Sequence, residues 1–182
     1  MLIERTAIPD VVKITPKRFV DKRGYFSEVF KDDWFRENVA CDSFVQDNES
    51  LSVEQGTVRG LHFQSPPFSQ GKLVRVLSGA IFDVAVDLRR ESSTYGKWVG
   101  LELDAQKGEQ LWIPVGFAHG FMTLKANTAI HYKVTAAYSV GHDHGVLWND
   151  PDIGIAWPAS EGVTLSAKDE VQPKLSQLAH FF

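Results

Sequence analysis

The sequence predicts an all-β domain, and three features of the chain support this prediction. Short runs rich in β-branched and aromatic residues follow one another, separated by glycine, proline, asparagine and aspartate. The 182 residues include 12 Phe, 5 Trp and 4 Tyr, and aromatic side chains favour strands. Signals for helices are few, so the many short strands indicate a sandwich or a barrel.

Ten runs are predicted to be strands, each ending where turn-forming residues begin. In chain order they are Val11–Ile14, Phe26–Lys31, Phe44–Glu49, Thr57–Gln64, Lys72–Leu77, Ala80–Leu88, Trp98–Leu103, Leu111–Ile113, Phe117–Leu124 and Thr128–Thr135. Asp21–Gly24 predicts a turn before the second run, and Ser78-Gly79 predicts a two-residue hairpin between the fifth and sixth.

Helices are predicted in only two places. Asp32–Asn38 begins with acidic residues, which favour the positive end of a helix dipole, and a second short helix is expected after Pro173. The length fits a single domain over residues 1–182, in which roughly the first 50 residues form an arm with strands.

Composition and charge exclude several classes of protein. The chain has 19 basic and 23 acidic residues, a net charge of −4, and no basic block of the kind that binds nucleic acid. Cys41 is the only cysteine, which suits a reducing compartment. Neither a signal peptide nor a membrane-spanning run is evident. We therefore expect a soluble cytoplasmic protein that binds neither nucleic acid nor a membrane.

Two segments about fifty residues apart each bring one histidine to a predicted strand. Gly56–Gln64 has the spacing G-x5-H-x-Q around His62, and Gly108–Thr123 has the spacing G-x5-P-x-G-x2-H-x3-T around His119. These spacings resemble the two signature motifs of a cupin barrel. The resemblance refines the predicted fold to a cupin-type double-stranded β-helix, or jelly roll, with a few short helices.

The metal site of such a barrel is incomplete in this sequence. A metal cupin has a second histidine where this chain has Gln64, and no glutamate follows within Ser65–Phe68. A mononuclear site usually needs three or four protein ligands, and only two histidines occupy motif positions. The other histidines lie in different contexts, and His142-Asp143-His144 has the character of a polar surface loop. We expect no bound metal.

Four residues are candidates for acid–base chemistry. Imidazole suits proton transfer near neutral pH, so His62 is a candidate base, although a hydrogen-bonded core histidine would fit the same pattern. Tyr132 lies on a predicted strand and is either an ordinary core residue or a general acid. Asp169 either caps a turn or orients His62. His119 either satisfies turn carbonyls or contacts a ligand.

Further polar residues lie within strand-like stretches and have two interpretations. Such residues usually form the solvated face of a sheet, but several of them facing inward would suit a phosphorylated ligand. They are Arg23, Glu28, Gln46, Asn48, Arg59 and Lys72.

Eight ordered motifs resemble the dTDP-4-dehydrorhamnose 3,5-epimerase family over nearly the whole chain. They are Asp21–Glu28, Gln46–Ser50, Val58–Gln64, Lys72–Val76, Asp83–Arg89, Pro114–Phe121, Trp148–Pro151 and Leu165–Asp169. The resemblance implies a metal-free cupin homodimer that needs no cofactor and whose N-terminal strands are exchanged between subunits. It also implies conversion of dTDP-4-dehydro-6-deoxy-D-glucose to dTDP-4-dehydro-L-rhamnose.

The resemblance assigns a role to each matching residue. His62 would abstract protons with Asp169 as its partner, and Tyr132 would donate protons from the opposite face. Tyr138 would stack on thymine. The remaining substrate contacts would be Arg23, Glu28, Gln46, Asp47, Asn48, Arg59, Lys72, His119, Asp143 and Lys168. The family commonly has glutamate at the position of Asp143, so this contact departs from its pattern.

Three alternatives remain open from the sequence. A related enzyme inverts only one carbon of a dTDP-sugar, and the strand motifs do not separate that reaction from the double one. A non-catalytic cupin would bind a sugar nucleotide without turnover. A metal-dependent oxygenase or isomerase would require stoichiometric metal for activity.

Overall fold

The computed structural model describes all residues from Met1 to Phe182, and it confirms the all-β prediction. Its strands are β1 (Leu2–Arg5), β2 (Val12–Thr15), β3 (Arg18–Asp21), β4 (Gly24–Ser27), β5 (Gln46–Ser52), β6 (Val58–Gln64), β7 (Lys72–Ser78), β8 (Ala80–Asp87), β9 (Trp98–Asp104), β10 (Gln110–Ile113), β11 (Phe117–Thr123), β12 (Thr128–Val134) and β13 (Asp143–Gly145). The helices are α1 (Asp32–Asn38) and α2 (Ala167–Glu170), with 3-10 turns at Val140–His142 and Leu175–Gln177. None of the helices combines the length and apolar character needed to cross a bilayer.

Two antiparallel sheets face each other. The larger has the order β1-β2-β10-β7-β12-β5, and the smaller has the order β13-β6-β11-β8-β9. Alternate residues of each strand point inward, and they form the main core between the sheets. Val74, Ile81, Leu111 and Ile130 are among its fully buried members.

Two smaller clusters cover the outer faces of the sandwich. On the six-stranded sheet, Phe35 of α1 packs edge-on against Trp112. On the five-stranded sheet, Phe63 of β6 packs against Phe181 in the C-terminal tail. Phe63 of β6 is buried in the cluster on the outer face of its sheet. Because successive residues of a strand point to opposite faces, the neighbouring His62 points toward the space between the sheets.

The hairpin of β3 and β4 pairs with no other strand of the chain. Its two strands are joined by Lys22 and Arg23, as the predicted turn requires. Apolar side chains on this hairpin remain open to solvent; Phe26, for example, is 67% exposed.

Two sequence-based predictions of local structure were wrong. Phe26–Lys31 is not one strand, because β4 pairs with β3 directly from the turn and ends at Ser27, and Lys31 precedes α1. Ser78-Gly79 does not form a hairpin, since β7 and β8 belong to different sheets and the turn is a corner between them. The short helix expected after Pro173 is present as a 3-10 helix at Leu175–Gln177.

Candidate active site

A cavity of about 460 Å³ lies between the two sheets, and half of the predicted functional side chains line it. The five-stranded sheet supplies residues from β6 and β11, and the six-stranded sheet supplies residues from β7 and β12. The α2 segment lines it as well. The predicted residues that line this cavity are Arg59, His62, Lys72, His119, Tyr132, Lys168 and Asp169.

His62 and Asp169 form a hydrogen-bonded pair at the wall of the cavity. The distance from His62 Nε2 to Asp169 Oδ1 is 2.5 Å, although 107 residues separate the two in sequence. Asp169 is held in α2, whose first turn is capped by the Ser166 hydroxyl. Burial favours a higher pKa for Asp169, but the bond with His62 and its charge outweigh burial and hold the pKa below its usual value. An ionised carboxylate only accepts hydrogen bonds, so Nε2 of His62 carries the proton.

A second histidine–carboxylate pair lies beside the first. His119 is the cross-strand partner of His62, and its Nε2 lies 2.6 Å from Asp83 Oδ1 on the adjacent strand β8. Both members of this pair are buried. Burial lowers the pKa of the His119 imidazole, against the opposing effect of Asp83. His119 is therefore held neutral at neutral pH.

Lys72 is the buried cation of the cavity. Its Nζ donates a hydrogen bond to the backbone carbonyl of His62 over 3.1 Å. Burial lowers the pKa of this ammonium to about 8, and the carboxylates of Asp143 and Asp83 act in the opposite direction. A buried ammonium group with unused N–H donors can stabilise a developing oxyanion.

Tyr132 faces the same cavity from the opposite sheet. It lies on β12, two residues after Ile130, and both side chains line the cavity. Burial raises the pKa of the Tyr132 phenol, partly offset by Arg59. The phenol therefore remains protonated near neutral pH and can donate a proton. The imidazole of His62 and this phenol thus reach the cavity from different layers of the sandwich.

The rim is a group of charged and polar side chains made of Arg59 and Lys168, which line the cavity, and of Asp143 and Tyr138, which do not line it themselves. Asp143 Oδ2 accepts hydrogen bonds from Lys168 Nζ at 2.6 Å and from the Tyr138 hydroxyl at 3.0 Å. The bond to Asp143 raises the pKa of Tyr138. Arg59 is held at the rim by Ser52 Oγ and by a backbone carbonyl. The rim thus offers the cationic groups that an anionic ligand requires.

The side chains of β5 divide between the two faces of the six-stranded sheet. Gln46 and Asn48 share a face and are hydrogen-bonded to each other at 2.7 Å. Asp47 points to the other face, where it pairs with Lys133 at 2.9 Å and also approaches His131. Because successive residues of a strand alternate, Asp47 points away from the face that carries the cavity-lining Ser50. Gln46 and Asn48 share the face of Ser50, but none of the three predicted residues Gln46, Asp47 and Asn48 lines the cavity itself.

Two predicted contacts lie far from this cavity within the chain. Arg23 is on the exposed β3–β4 turn and forms an ion pair with Asp21, and Glu28 is exposed just after the hairpin. Neither lines the cavity.

Several residues that line the cavity escaped the sequence-based prediction. They are Ser50, Thr57, Val58, Phe121, Ile130, Thr164, Leu165 and Ser166. The two-residue period of strands points to some of them, since Ser50, Phe121 and Ile130 lie two positions from Asn48, His119 and Tyr132. Asp83 belongs to a recognised motif, but nothing in the sequence pairs it with His119.

The two histidines and Gln64 of the motifs do not assemble a metal-binding group. No cluster of three or more His, Cys, Asp or Glu side chains has the arrangement of a metal site. The Gln64 amide instead bonds to backbone groups of two neighbouring loops.

A jelly roll with an imidazole–carboxylate pair facing a protonated phenol across an internal cavity defines an acid–base enzyme. Residues 5–177 match the family model described as dTDP-4-dehydrorhamnose 3,5-epimerase, and the chain belongs to this family.

Relatives and solved structures agree with this assignment. A dTDP-4-dehydrorhamnose 3,5-epimerase of Sinorhizobium fredii is 61% identical over 98% of this chain and 91% of that protein. The crystal structure of the 3,5-epimerase of Legionella pneumophila, in complex with dTDP-4-keto-L-rhamnose, has a TM-score of 0.94 at 44% identity and covers 98% of this chain and 94% of that one. ChmJ, a 3'-monoepimerase of Streptomyces bikiniensis, has a TM-score of 0.88 at 30% identity and covers 94% of this chain and 87% of its own.

Proposed function

We propose that the protein converts dTDP-4-dehydro-6-deoxy-D-glucose to dTDP-4-dehydro-L-rhamnose by inverting C3 and C5 of the sugar. One observation carries the proposal: a candidate base and a candidate acid enter the same cavity from opposite sheets. The base is His62, which is paired with Asp169, and the acid is the protonated phenol of Tyr132. Inversion of a carbon through an enolate needs a base on one face and an acid on the other. Membership of the epimerase family supports the same reaction.

The first step is removal of a proton next to the C4 ketone. The protons on C3 and C5 are acidic because the resulting carbanion is stabilised as an enolate. With Nε2–H of His62 donated to Asp169, Nδ1 carries the lone pair that accepts the proton. Asp169 then stabilises the imidazolium, as the carboxylate of a catalytic triad does.

The second group in the reaction is Lys72, which would lie beside the C4 oxygen. Negative charge develops on this oxygen as the enolate forms, and a buried ammonium stabilises it far more than an exposed one would. With its pKa near 8, Lys72 is mostly protonated at neutral pH. His119, held neutral by burial and with its Nε2–H donated to Asp83, would offer Nδ1 as an acceptor for a substrate hydroxyl and would add no second positive charge.

The final step is protonation of the enolate from the face opposite His62. The Tyr132 phenol has a raised pKa and therefore holds its proton until a strongly basic carbon accepts it. His62 then releases its proton to solvent and the Tyr132 phenolate takes one from solvent, after which the same two transfers at the second carbon complete the double inversion. Tyr138 would stack on the thymine, and the rest of the nucleotide would be held by Gln46, Asn48, Asp143, Lys168 and Arg59.

We also propose that the protein is a homodimer in which each β3–β4 hairpin covers the partner. A two-stranded hairpin alone is marginally stable, and large exposed apolar patches mark interfaces. The apolar side chains of this hairpin are largely exposed within the chain, from 49% for Phe19 to 78% for Val20, and Arg23 and Glu28 accompany it. Exchange would place these two residues at the partner's nucleotide site.

Mass measurement in solution tests the dimer. Replacing Tyr25 and Phe26 together by serine should yield a monomer with a raised KM, while the same change at exposed Val171 should alter neither. A wild-type protein that is monomeric at micromolar concentration would remove this part of the proposal. The single free cysteine, Cys41, is exposed and suits the cytoplasm as the proposed compartment.

Turnover of the sugar nucleotide in deuterated water tests the reaction itself. Label at both C3 and C5 of the product supports the double inversion. Label at one carbon would assign the protein to the monoepimerases, to which ChmJ belongs. Tight binding of the sugar nucleotide with no label and no product would instead identify a binding protein.

A further inference from the structure

Three glutamine side chains hold the segment Ala136–Ser139, which follows β12 and carries Tyr138. No backbone–backbone hydrogen bond involves Ala136, Ala137 or Tyr138. Instead, glutamine side chains supply the hydrogen-bond partners of the backbone at four successive residues. Gln70 Nε2 donates to Ala136 O at 2.8 Å, Gln64 Nε2 donates to Ala137 O at 3.1 Å, Gln46 Oε1 accepts from Tyr138 N at 3.1 Å, and Gln64 Oε1 accepts from Ser139 N at 2.7 Å.

Gln64 contributes most to this arrangement. Its Nε2 also donates to Phe68 O at 2.6 Å, so one amide joins the loop after β6 to the segment that carries Tyr138. The residue is 3% exposed and both its amide N–H groups and its carbonyl are used. It lies on β6, two residues beyond His62, in a strand that is paired on both sides.

The position of Gln64 within the cupin motif bears on the role of its hydrogen bonds. It is the position at which a metal cupin carries a second histidine ligand. Here the side chain is directed to the backbone of two loops, and the same strand thus carries the candidate base and an anchor for the rim. Tyr138 itself is exposed, with its hydroxyl bonded to Asp143, which also accepts from Lys168 of the cavity wall.

We propose that Gln64 is a positioning residue for the nucleotide site, acting through Tyr138. The inference rests on the proposed function, in which Tyr138 stacks on the thymine of the substrate. A loop that is already fixed loses little conformational entropy when a ligand binds, so affinity is gained without a new contact. The proton-transfer groups His62 and Tyr132 and the cation Lys72 stand on strands whose ladder pairings do not include this segment.

The first test is the division of effects between KM and kcat. Gln64→Met keeps the length of the side chain and removes all its hydrogen bonds. We expect Kd for dTDP and KM for the substrate to rise about 10-fold or more, with kcat within about 3-fold of wild type, because only binding is weakened. Gln55→Met is the matched control, since Gln55 is exposed and forms no side-chain hydrogen bond, and it should change neither constant.

A double-mutant cycle distinguishes positioning from a general loss of structure. If Gln64 acts through Tyr138, Gln64→Met should weaken dTDP binding by less than about 2-fold in a Tyr138→Ala background. Gln70→Met removes only the bond to Ala136, and it should give a smaller shift in the same direction. This second variant keeps the test valid if Gln64→Met does not fold.

The outcomes separate this inference from the proposed function. Wild-type protein that binds dTDP and turns over substrate, with Gln64→Met and Gln70→Met both unchanged in Kd, overturns the inference and leaves the proposed function intact. A fall in kcat at unchanged KM, or full additivity with Tyr138→Ala, overturns it as well. Wild-type protein that neither binds dTDP nor turns over substrate removes both.

Discussion

Two histidine–carboxylate pairs stand side by side, one between β6 and α2 and the other between β11 and β8, and they differ mainly in exposure. The side chain of His62 is 32% exposed and opens to the cavity, whereas that of His119 is 8% exposed. The hydrogen-bond distances are almost equal, at 2.5 and 2.6 Å. The same pair of groups therefore serves two purposes: an accessible imidazole can take a proton from a substrate, and a buried one is suited to hold its position and charge state.

The carboxylates of the two pairs differ as well. Asp169 lies in the short helix α2, where its carboxylate accepts from His62 and its backbone N–H donates to the Ser166 hydroxyl. Asp83 is fully buried, and its Oδ2 has no hydrogen-bond partner within the chain. A buried carboxylate oxygen without a partner is unfavourable, and here it lies in a region whose cations include Lys72. Asp83 thus helps to retain a positive charge where the oxyanion would form.

Loss of the accessible imidazole should have the largest effect. His62→Asn keeps polarity and removes the base, and we expect kcat to fall by about 10³-fold or more while dTDP binding stays near wild type. Single-turnover assays and calorimetry measure the two quantities. His180→Asn, at an exposed histidine in the C-terminal tail, is the matched control. Activity within 10-fold of wild type would contradict the role of His62.

Matched changes at the two carboxylates sharpen the comparison. Asp169→Asn should lower kcat by about 10²- to 10⁴-fold, because the amide neither stabilises the imidazolium nor fixes the tautomer. Asp83→Asn should lower kcat by about 10-fold and should also lower the free energy of unfolding by about 1–3 kcal/mol, since His119 loses a buried partner. Kinetics and urea denaturation measure these changes. Equal losses of kcat in the two variants would show that exposure does not separate the two roles.

The pH dependence of activity reports on Lys72. Its pKa near 8 lies below that of an ordinary lysine, and the oxyanion needs the protonated form. We therefore expect kcat/KM to decline as pH rises through about 8. Between pH 8 and the ordinary lysine value the unfolded chain binds more protons, so the contribution of this residue to stability rises with pH.

An arginine variant provides the control for this assignment. Lys72→Arg retains a charge that does not titrate in this range, so any remaining activity should lose the decline above pH 8. If kcat/KM of that variant still declined above pH 8 as in the wild type, the decline would belong to another titrating group.

Removal of metal should have the smallest effect. Gln64 is turned toward two loops, and the described side chains form no group of three ligands. Dialysis against a chelator should leave kcat within about 2-fold of wild type, because three or more ligands are normally needed for a catalytic ion. Loss of activity that a stoichiometric divalent cation restores would contradict this expectation.

The sequence predicted most strands and the facing of the key side chains, because both follow from a two-residue period. It placed Thr57–Gln64 and Thr128–Thr135 within one residue of β6 and β12 at each end, and it set His62 and Tyr132 on inward faces. The helix Asp32–Asn38 has the predicted bounds, since its acidic start is a local signal.

Contacts between residues that are distant along the chain could not be predicted from the periodicity of the sequence. Nothing local shows that Ser78-Gly79 turns a corner between sheets and not a hairpin. The contact of His62 with Asp169 spans 107 residues, and that of His119 with Asp83 spans 36. The strand β13 was not anticipated because three residues are too few to show a period. The glutamines that hold Ala136–Ser139 come from β5, β6 and the loop between β6 and β7.

The most direct test of the two-faced site is solvent exchange in the Tyr132→Phe variant. In deuterated water this variant should incorporate deuterium at C3 or C5 of recovered substrate with retained configuration, because His62 still removes and returns protons on its own face. Product formation should fall by about 10²-fold or more, since the opposite face has lost its acid. Formation of inverted product at the wild-type rate, or exchange that persists in His62→Asn, would contradict the account.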